Sequence, residues 1–199
     1  MSATVYGRAL PREEREQPGD AEHEVIRRAR SGDEDAFRVL MERHRAHAFG
    51  IALRITRSAE DAEDVVQQAF VRAWHFLSEF RSESTFGTWL HRIVARRALD
   101  RASQMKTRRG REEDMDVASF QLASPAEQGR DVILIRRLEL LMRRLTAAQR
   151  AVVTLYYWDE TPVEEISGAL RMPENTVKTH LSRARAALRE SWLDMERRR

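Results

Sequence analysis

Cysteine is absent from the 199 residues, which excludes a disulfide framework, thiol catalysis and cysteine-ligated zinc. Glycine and proline are scarce, at 8 and 5, which favours helical structure. Lysine is nearly missing: apart from Lys106 and Lys178, all 35 basic residues are arginine. No apolar run approaches the roughly 18 residues needed to cross a bilayer. The first 20 residues hold no apolar core that could act as a signal peptide. These absences lead to the expectation of a cytoplasmic protein with no membrane insertion.

Charged residues make up 34% of the chain and hydrophobic ones 42%, a profile suited to helices. The pI of about 9.8 overstates the charge. Arginine stays protonated to very high pH, so a net charge of only +3 carries the pI far upward. The location of the charge is more informative than its sum.

Residues 1–20, with Pro11 and Pro18 and no apolar period, read as a disordered leader. A short helix is expected over 22–30. Gly32 breaks it, and Asp33 caps a long helix whose apolar positions Phe37, Leu40, Met41, Ala48, Ile51, Ala52 and Ile55 recur at spacings of 3 and 4. Ser58 and Asp61 form an S-x-x-D start for the next helix. A third helix is expected over about 85–103, closing a first domain at 21–103. Residues 104–130 are sparse in apolar side chains and read as a linker. A second domain, 131–199, contains a helix over 131–144 and a capping box at Thr146 and Gln149. Thr161-Pro162-Val163-Glu164 then opens a short helix, and Asn175 is expected to cap a final one. No segment alternates like a strand. The fold class is all-α: two small helical domains joined by a flexible linker, the C-terminal one containing a helix-turn-helix.

Two helices joined by a tight turn, the second basic, fit that motif. On the final helix Val177, Leu181, Ala184 and Leu188 form one narrow apolar stripe. Asn175, Thr179, Ser182, Arg183 and Ala186 fall opposite, flanked by Lys178, Arg185 and Arg189. Small polar residues permit close approach to base edges, and the cations reach phosphates and guanine acceptors.

The helix at 58–76 opens on Glu60, Asp61, Glu63 and Asp64, whereas 85–103 carries Arg92, Arg96, Arg97 and Arg101 against Asp100 alone. Trp89, Arg92 and Arg96 stand at i, i+3 and i+7, an aromatic beside guanidinium groups as unstacked bases require. Taken alone, an aromatic at this spacing is more often a core residue. The polar loop Phe80-Arg81-Ser82-Glu83-Ser84-Thr85 before it is a candidate pocket for an extruded base.

Three stretches together resemble the extracytoplasmic-function (ECF) group of the sigma-70 family of transcription initiation factors. "GDEDAFRVLMERH…DAEDVVQQAFVRAW" is similar to the start of region 2, and "FRSESTFGTWLHRIVARRALD" to its promoter-melting part. "LTAAQRAVVTLYYWDETPVEEISGALRMPENTVKTHLSRARAAL" is similar to region 4. The resemblance implies a non-enzymatic subunit of RNA polymerase, needing no cofactor or metal. It would contact the clamp helices of the largest polymerase subunit and the flap of the second largest, together with double- and single-stranded promoter DNA. Asp61, Asp64, Gln67, Gln68 and Arg72 would face polymerase. Phe80, Arg81, Ser82, Glu83, Ser84, Thr85, Trp89, Arg92 and Arg96 would melt and hold the minus-ten element. Asn175, Thr176, Lys178, Thr179, Ser182, Arg183 and Arg185 would read the minus-thirty-five element. The linker would pass between these points, and an anti-sigma protein is an expected partner. Gln68 replaces a frequent acid, Arg96 a usual Asn, Thr146 a usual Pro, and Arg171 and Asn175 frequent Gly residues.

The rival expectation is an autonomous regulator, since residues 164–188 also resemble the DNA-binding helices of LuxR-type proteins. It leaves 33–103 without a role. An enzyme reading would start from His44 and His47, three apart on one helix, but local sequence supplies no third ligand.

Overall fold

Helix α1 (Pro18–Arg30) ends in a turn whose geometry requires glycine. Gly32 has φ +94°, its N–H donates to the Ala29 carbonyl and the Asp33 N–H to the Arg28 carbonyl, the paired bonds of a Schellman motif. Asp33 then starts α2 (Glu34–Thr56) as expected, accepting from the Ala36 N–H at 3.0 Å and pairing with Arg28 at 2.6 Å. That amide, followed by Arg28, holds the Asp33 carboxyl below the usual range. The computed structural model describes residues 18–109 and 141–197. The expected leader up to residue 17 and the linker beyond Arg109 lie outside them, as do residues 131–140 of the helix expected there; residues 18–20, expected in the leader, instead form the start of α1.

The chain divides into two compact units, residues 1–42 and 43–199. In the first, Ile26, Ala29, Phe37 and Leu40 are buried. The second holds the C-terminal part of α2 and every later element. Its next helices are α3 (Ala59–Phe76), a single 3-10 turn at Leu77–Glu79 and α4 (Phe86–Arg109). Three more follow: α5 (Ala147–Tyr157), α6 (Val163–Leu170) and α7 (Glu174–Arg197). Among the described residues there is no strand.

Local signals explain most starts. Ser58 accepts from the Asp61 N–H at 3.2 Å. Thr85 accepts from the Thr88 N–H at 3.1 Å. Thr146 and Gln149 make the complete reciprocal capping box. Three expectations need correction. Helix α4 runs six residues past the expected boundary, through Arg109. Thr161 does not cap α6: Pro162 occupies that position, its carbonyl accepting from the Ile166 N–H, and the Thr161 hydroxyl turns inward to Asp159 at 3.0 Å. Asn175 likewise sits inside the first turn of α7, because the Pro173 carbonyl already accepts from Thr176 and Val177.

Within the second unit α3 packs on α4, and α4 in turn packs on both α5 and α6, while α7 packs on α5 and α6. Leu90 and Val94 of α4, Val152 and Leu155 of α5, Ile166 and Leu170 of α6, and Val177 of α7 are fully buried. Each such aliphatic side chain contributes about 1.5–3 kcal/mol relative to an exposed one. One buried cation spans the unit: Arg150, 7% exposed, donates Nε and Nη2 to the Ile55 carbonyl at 3.0 and 2.7 Å. Its Nη1 donates to the Leu145 carbonyl at 2.6 Å.

Candidate nucleic-acid interface

Helix α7 presents the surface its sequence pattern describes. Val177, Leu181 and Ala184 are buried; Leu188, the fourth position of the stripe, is half-buried. Asn175, Lys178, Thr179, Ser182 and Arg183 together line one open hollow of about 480 Å³. Two of them are tied locally, Lys178 to Glu174 at 3.2 Å and the Thr179 hydroxyl to the Asn175 carbonyl at 2.7 Å. Thr176 is half-buried. Arg185 is exposed but leaves this group, donating Nε to the Tyr157 hydroxyl at 2.8 Å. The turn before α7 holds Arg171 in the left-handed region, φ 52°. Its N–H and that of Met172 bond back to the Gly168 and Ser167 carbonyls, the position where glycine is usual.

The loop before α4 divides into exposed and buried members. Arg81, Ser82, Glu83 and Thr85 are exposed and Ser84 is half-buried. Phe80 does not belong to an open pocket: it is 4% exposed and packs 5.2 Å from Trp89 and 6.1 Å from Phe86, ring centre to ring centre. Its ring is the floor under Trp89, which stays half-buried.

Arg92 and Arg96 are not free on that surface. Arg92 pairs with Glu165 of α6, and Arg96 donates to the Leu170 carbonyl at 2.6 Å while lying 3.3 Å from Asp100. Both residues therefore face α6, a connection no local pattern reveals.

On α3 the expected polymerase-facing residues also divide. Gln67, Gln68 and Arg72 are exposed and line a surface hollow of about 640 Å³ with Val71, His75, Phe76 and Arg97. The Arg72 guanidinium lies 4.7 Å over the Phe76 ring. Asp61 instead turns inward, 7% exposed, and accepts from Arg101 Nε at 2.6 Å. That bond, then its charge, raises the Arg101 pKa. Asp64 is exposed, 3.7 Å from the same guanidinium. Asp61 thus joins α3 to α4, which leaves Asp64, Gln67, Gln68 and Arg72 as the outward set. Val71 and Phe76, exposed apolar members of that hollow, were not among the expected residues. Their signal was two large apolar side chains outside the buried stripe.

The chain matches the family description "Sigma-70 region 2" over residues 40–109 and "Sigma-70, region 4" over 135–188. It is 30% identical to the ECF RNA polymerase sigma-E factor of Escherichia coli, covering 82% of this chain and 90% of that one. The chain belongs to the ECF group of RNA polymerase sigma factors. SigW of Bacillus subtilis is 29% identical across 85% of this chain and 96% of its own length. A solved structure of CnrH in complex with the cytosolic domain of CnrY is similar at 26% identity and TM-score 0.58, covering 88% of this ECF factor and 99% of that chain. The sigma factor RpoE of Bartonella quintana, solved with the anti-sigma factor NepR, shares the fold at TM-score 0.61 and 21% identity, with 78% and 96% covered. The autonomous-regulator expectation finds no support, because it has no place for the region 2 match. In this ECF factor the region 2 match carries α3 and α4, and the region 4 match carries α5, α6 and most of α7.

Proposed function

We propose that this ECF sigma factor binds core RNA polymerase through the exposed face of α3, with Asp64, Gln67, Gln68 and Arg72 as contacts. It then recruits the enzyme to promoters through α7. Asn175, Lys178, Thr179, Ser182 and Arg183 read the upstream element in the major groove, where Arg or Lys can bond guanine O6 and N7. Loop residues 81–85, with Trp89, Arg92 and Arg96, hold the unpaired non-template strand of the minus-ten element. The region 4 domain also engages the polymerase flap, and an anti-sigma protein is its expected regulator. The factor works in the cytoplasm and is not itself an enzyme; nucleotidyl transfer belongs to the polymerase core.

The observation that carries this reading is the sorting of α7. Its apolar stripe is buried at Val177, Leu181 and Ala184, while five polar and cationic side chains share one open hollow. The test is run-off transcription from a cognate promoter with purified core polymerase. Initiation that depends on adding this chain supports the proposal. Promoter binding and activation without replacing another sigma factor would refute it.

A further inference from the structure

Outside these surfaces, three metal-competent side chains from separate segments meet on the side of α4 that faces α2 and the loop after α5. His47 comes from α2, His91 from α4 and Asp159 from the loop after α5, and one ligand atom from each lies within 4.8 Å of the other two. The His91 and Asp159 side chains are 8% and 6% exposed, and His91 Nδ1 lies 2.5 Å from Asp159 Oδ1. The other nitrogen of His91, Nε2, is buried with no hydrogen-bond partner. His47 stacks on His91, with ring centres 4.3 Å apart and planes 15° from parallel, and is itself exposed. The second oxygen of Asp159 is held by the Thr161 hydroxyl at 3.0 Å, the kind of outer support that orients a ligating carboxylate.

We propose that His47, His91 and Asp159 form a binding site for one first-row divalent cation of the zinc type. Two imidazoles and a carboxylate are a donor set such ions accept, with a fourth position left to water. Around a tetrahedral zinc, ligand atoms stand about 3.3 Å apart, given bonds of about 2.0–2.1 Å. The His91–Asp159 pair therefore opens by less than about 1 Å, and His47 leaves its stacked pose to turn a ring nitrogen inward. The exposed position of His47 permits that rotation. The bound ion would tie the part of the chain matched to region 2, through α2 and α4, to the loop that follows α5 in region 4. A ligand that binds one arrangement stabilises that arrangement. Here it would favour the packing in which Arg92 and Arg96 bond to α6. The metal site does not depend on the sigma-factor reading; only the meaning of its effect on those two arginines does.

The experiment is isothermal titration of Zn²⁺ into the tag-free, chelator-stripped full chain. The expected result is one zinc per chain, and a thermal midpoint that rises with zinc. His47→Ala removes an exposed ligand and Asp159→Asn keeps the side-chain shape, so both variants should fold, as circular dichroism will verify. Each is expected to weaken zinc binding at least tenfold, on the order of the loss seen when a supporting or ligating group is removed. His23→Ala, on the exposed side of α1, should bind as the parent does. Absence of zinc binding by the parent would overturn the proposal. So would equal affinity in the parent, His47→Ala and Asp159→Asn chains, or a loss in His23→Ala as large as theirs.

Discussion

Replacing Arg150 by Met keeps the apolar stem of the side chain and removes its five donors, so it tests what the guanidinium does. In the structure those donors satisfy two carbonyls, Ile55 at the end of α2 and Leu145 just before α5. Ile55 lies in the last turn of α2, where carbonyls have no partner within the helix. A buried carbonyl left without a donor costs about 1–3 kcal/mol, and two such groups set the gross loss at about 2–6 kcal/mol. Losing a cation at a helix C-terminus adds up to about 2 kcal/mol. Against this stands the relief of burying the charge, a strain visible in the guanidinium pKa, which burial and then Arg57 push down to about 10. At neutral pH the group is still charged, so this relief recovers part of the loss but not all of it. The net expectation is a destabilisation of about 2–4 kcal/mol. For a chain of this length that lowers Tm by roughly 4–16 °C, at about 2–4 °C per kcal/mol. Urea unfolding followed by far-ultraviolet circular dichroism measures the loss directly. A variant within 0.5 kcal/mol of the parent would refute the claim that these carbonyls depend on Arg150.

The other expected outcomes concern the DNA-facing elements. Arg183→Ala should weaken binding to an upstream-element duplex by about 1–3 kcal/mol in fluorescence anisotropy, the range of a bidentate base contact; an unchanged upstream preference excludes that role. Trp89→Ala should impair promoter opening, read by permanganate footprinting, more than closed-complex binding, because stacking contributes about 1–3 kcal/mol per base. Equal losses in the two assays would remove the stacking assignment. Arg171→Gly should stabilise the chain by about 0.5–1 kcal/mol in urea. The left-handed conformation costs a side-chain-bearing residue about 1–2 kcal/mol, and added unfolded-state freedom of glycine takes back about 0.5–1. A lower midpoint would show that the Arg171 side chain has a compensating role. Glu165→Gln should raise the affinity of the chain for a single-stranded minus-ten oligonucleotide about two- to fivefold, since a partly exposed ion pair contributes about 1 kcal/mol or less. No change would mean that Glu165 does not restrain Arg92.

What the sequence made legible is what short-range physics decides. The caps at Ser58 and Thr146 and the stripe of α7 rest on contacts within one turn or on one helical period, and all appear where expected. The two shifted starts, at Thr161 and Asn175, have one shared cause. A proline immediately before the helix supplies the first carbonyl acceptor, and at the first of them the Thr161 hydroxyl bonds Asp159 instead. The site was less legible because its decisive contacts join distant residues. Arg92 meets Glu165 from 73 positions away, Arg96 meets the Leu170 carbonyl from 74, and Arg150 meets Ile55 from 95. His47 lacked a further ligand in its own helix for the same reason: His91 and Asp159 come from α4 and from beyond α5. Asp61 followed a cap pattern correctly, but the pattern could not reveal that Arg101 draws its carboxylate inward.

The contacts between α4 and α6 and the contact of Arg150 respond differently to opening. On the proposed reading, Arg92 and Arg96 would exchange one set of acceptors for another by leaving Glu165 and the Leu170 carbonyl for phosphates, so DNA would compete for donors already in use. DNA offers no equivalent exchange for Arg150, whose partners are buried backbone carbonyls. In an opened arrangement water solvates those carbonyls, and the loss from removing Arg150 falls to about 1 kcal/mol per hydrogen bond or less. Arg150→Met therefore weakens the packed arrangement more than the open one. A perturbation with unequal effects on two states shifts their populations toward the less affected. Under conditions where the variant remains folded, it should then share with Glu165→Gln an increased affinity for single-stranded minus-ten DNA, although its hydrogen bonds go to the Ile55 and Leu145 carbonyls rather than to Arg92 or Arg96. A stability loss without that gain would mean the two contacts belong to independent equilibria.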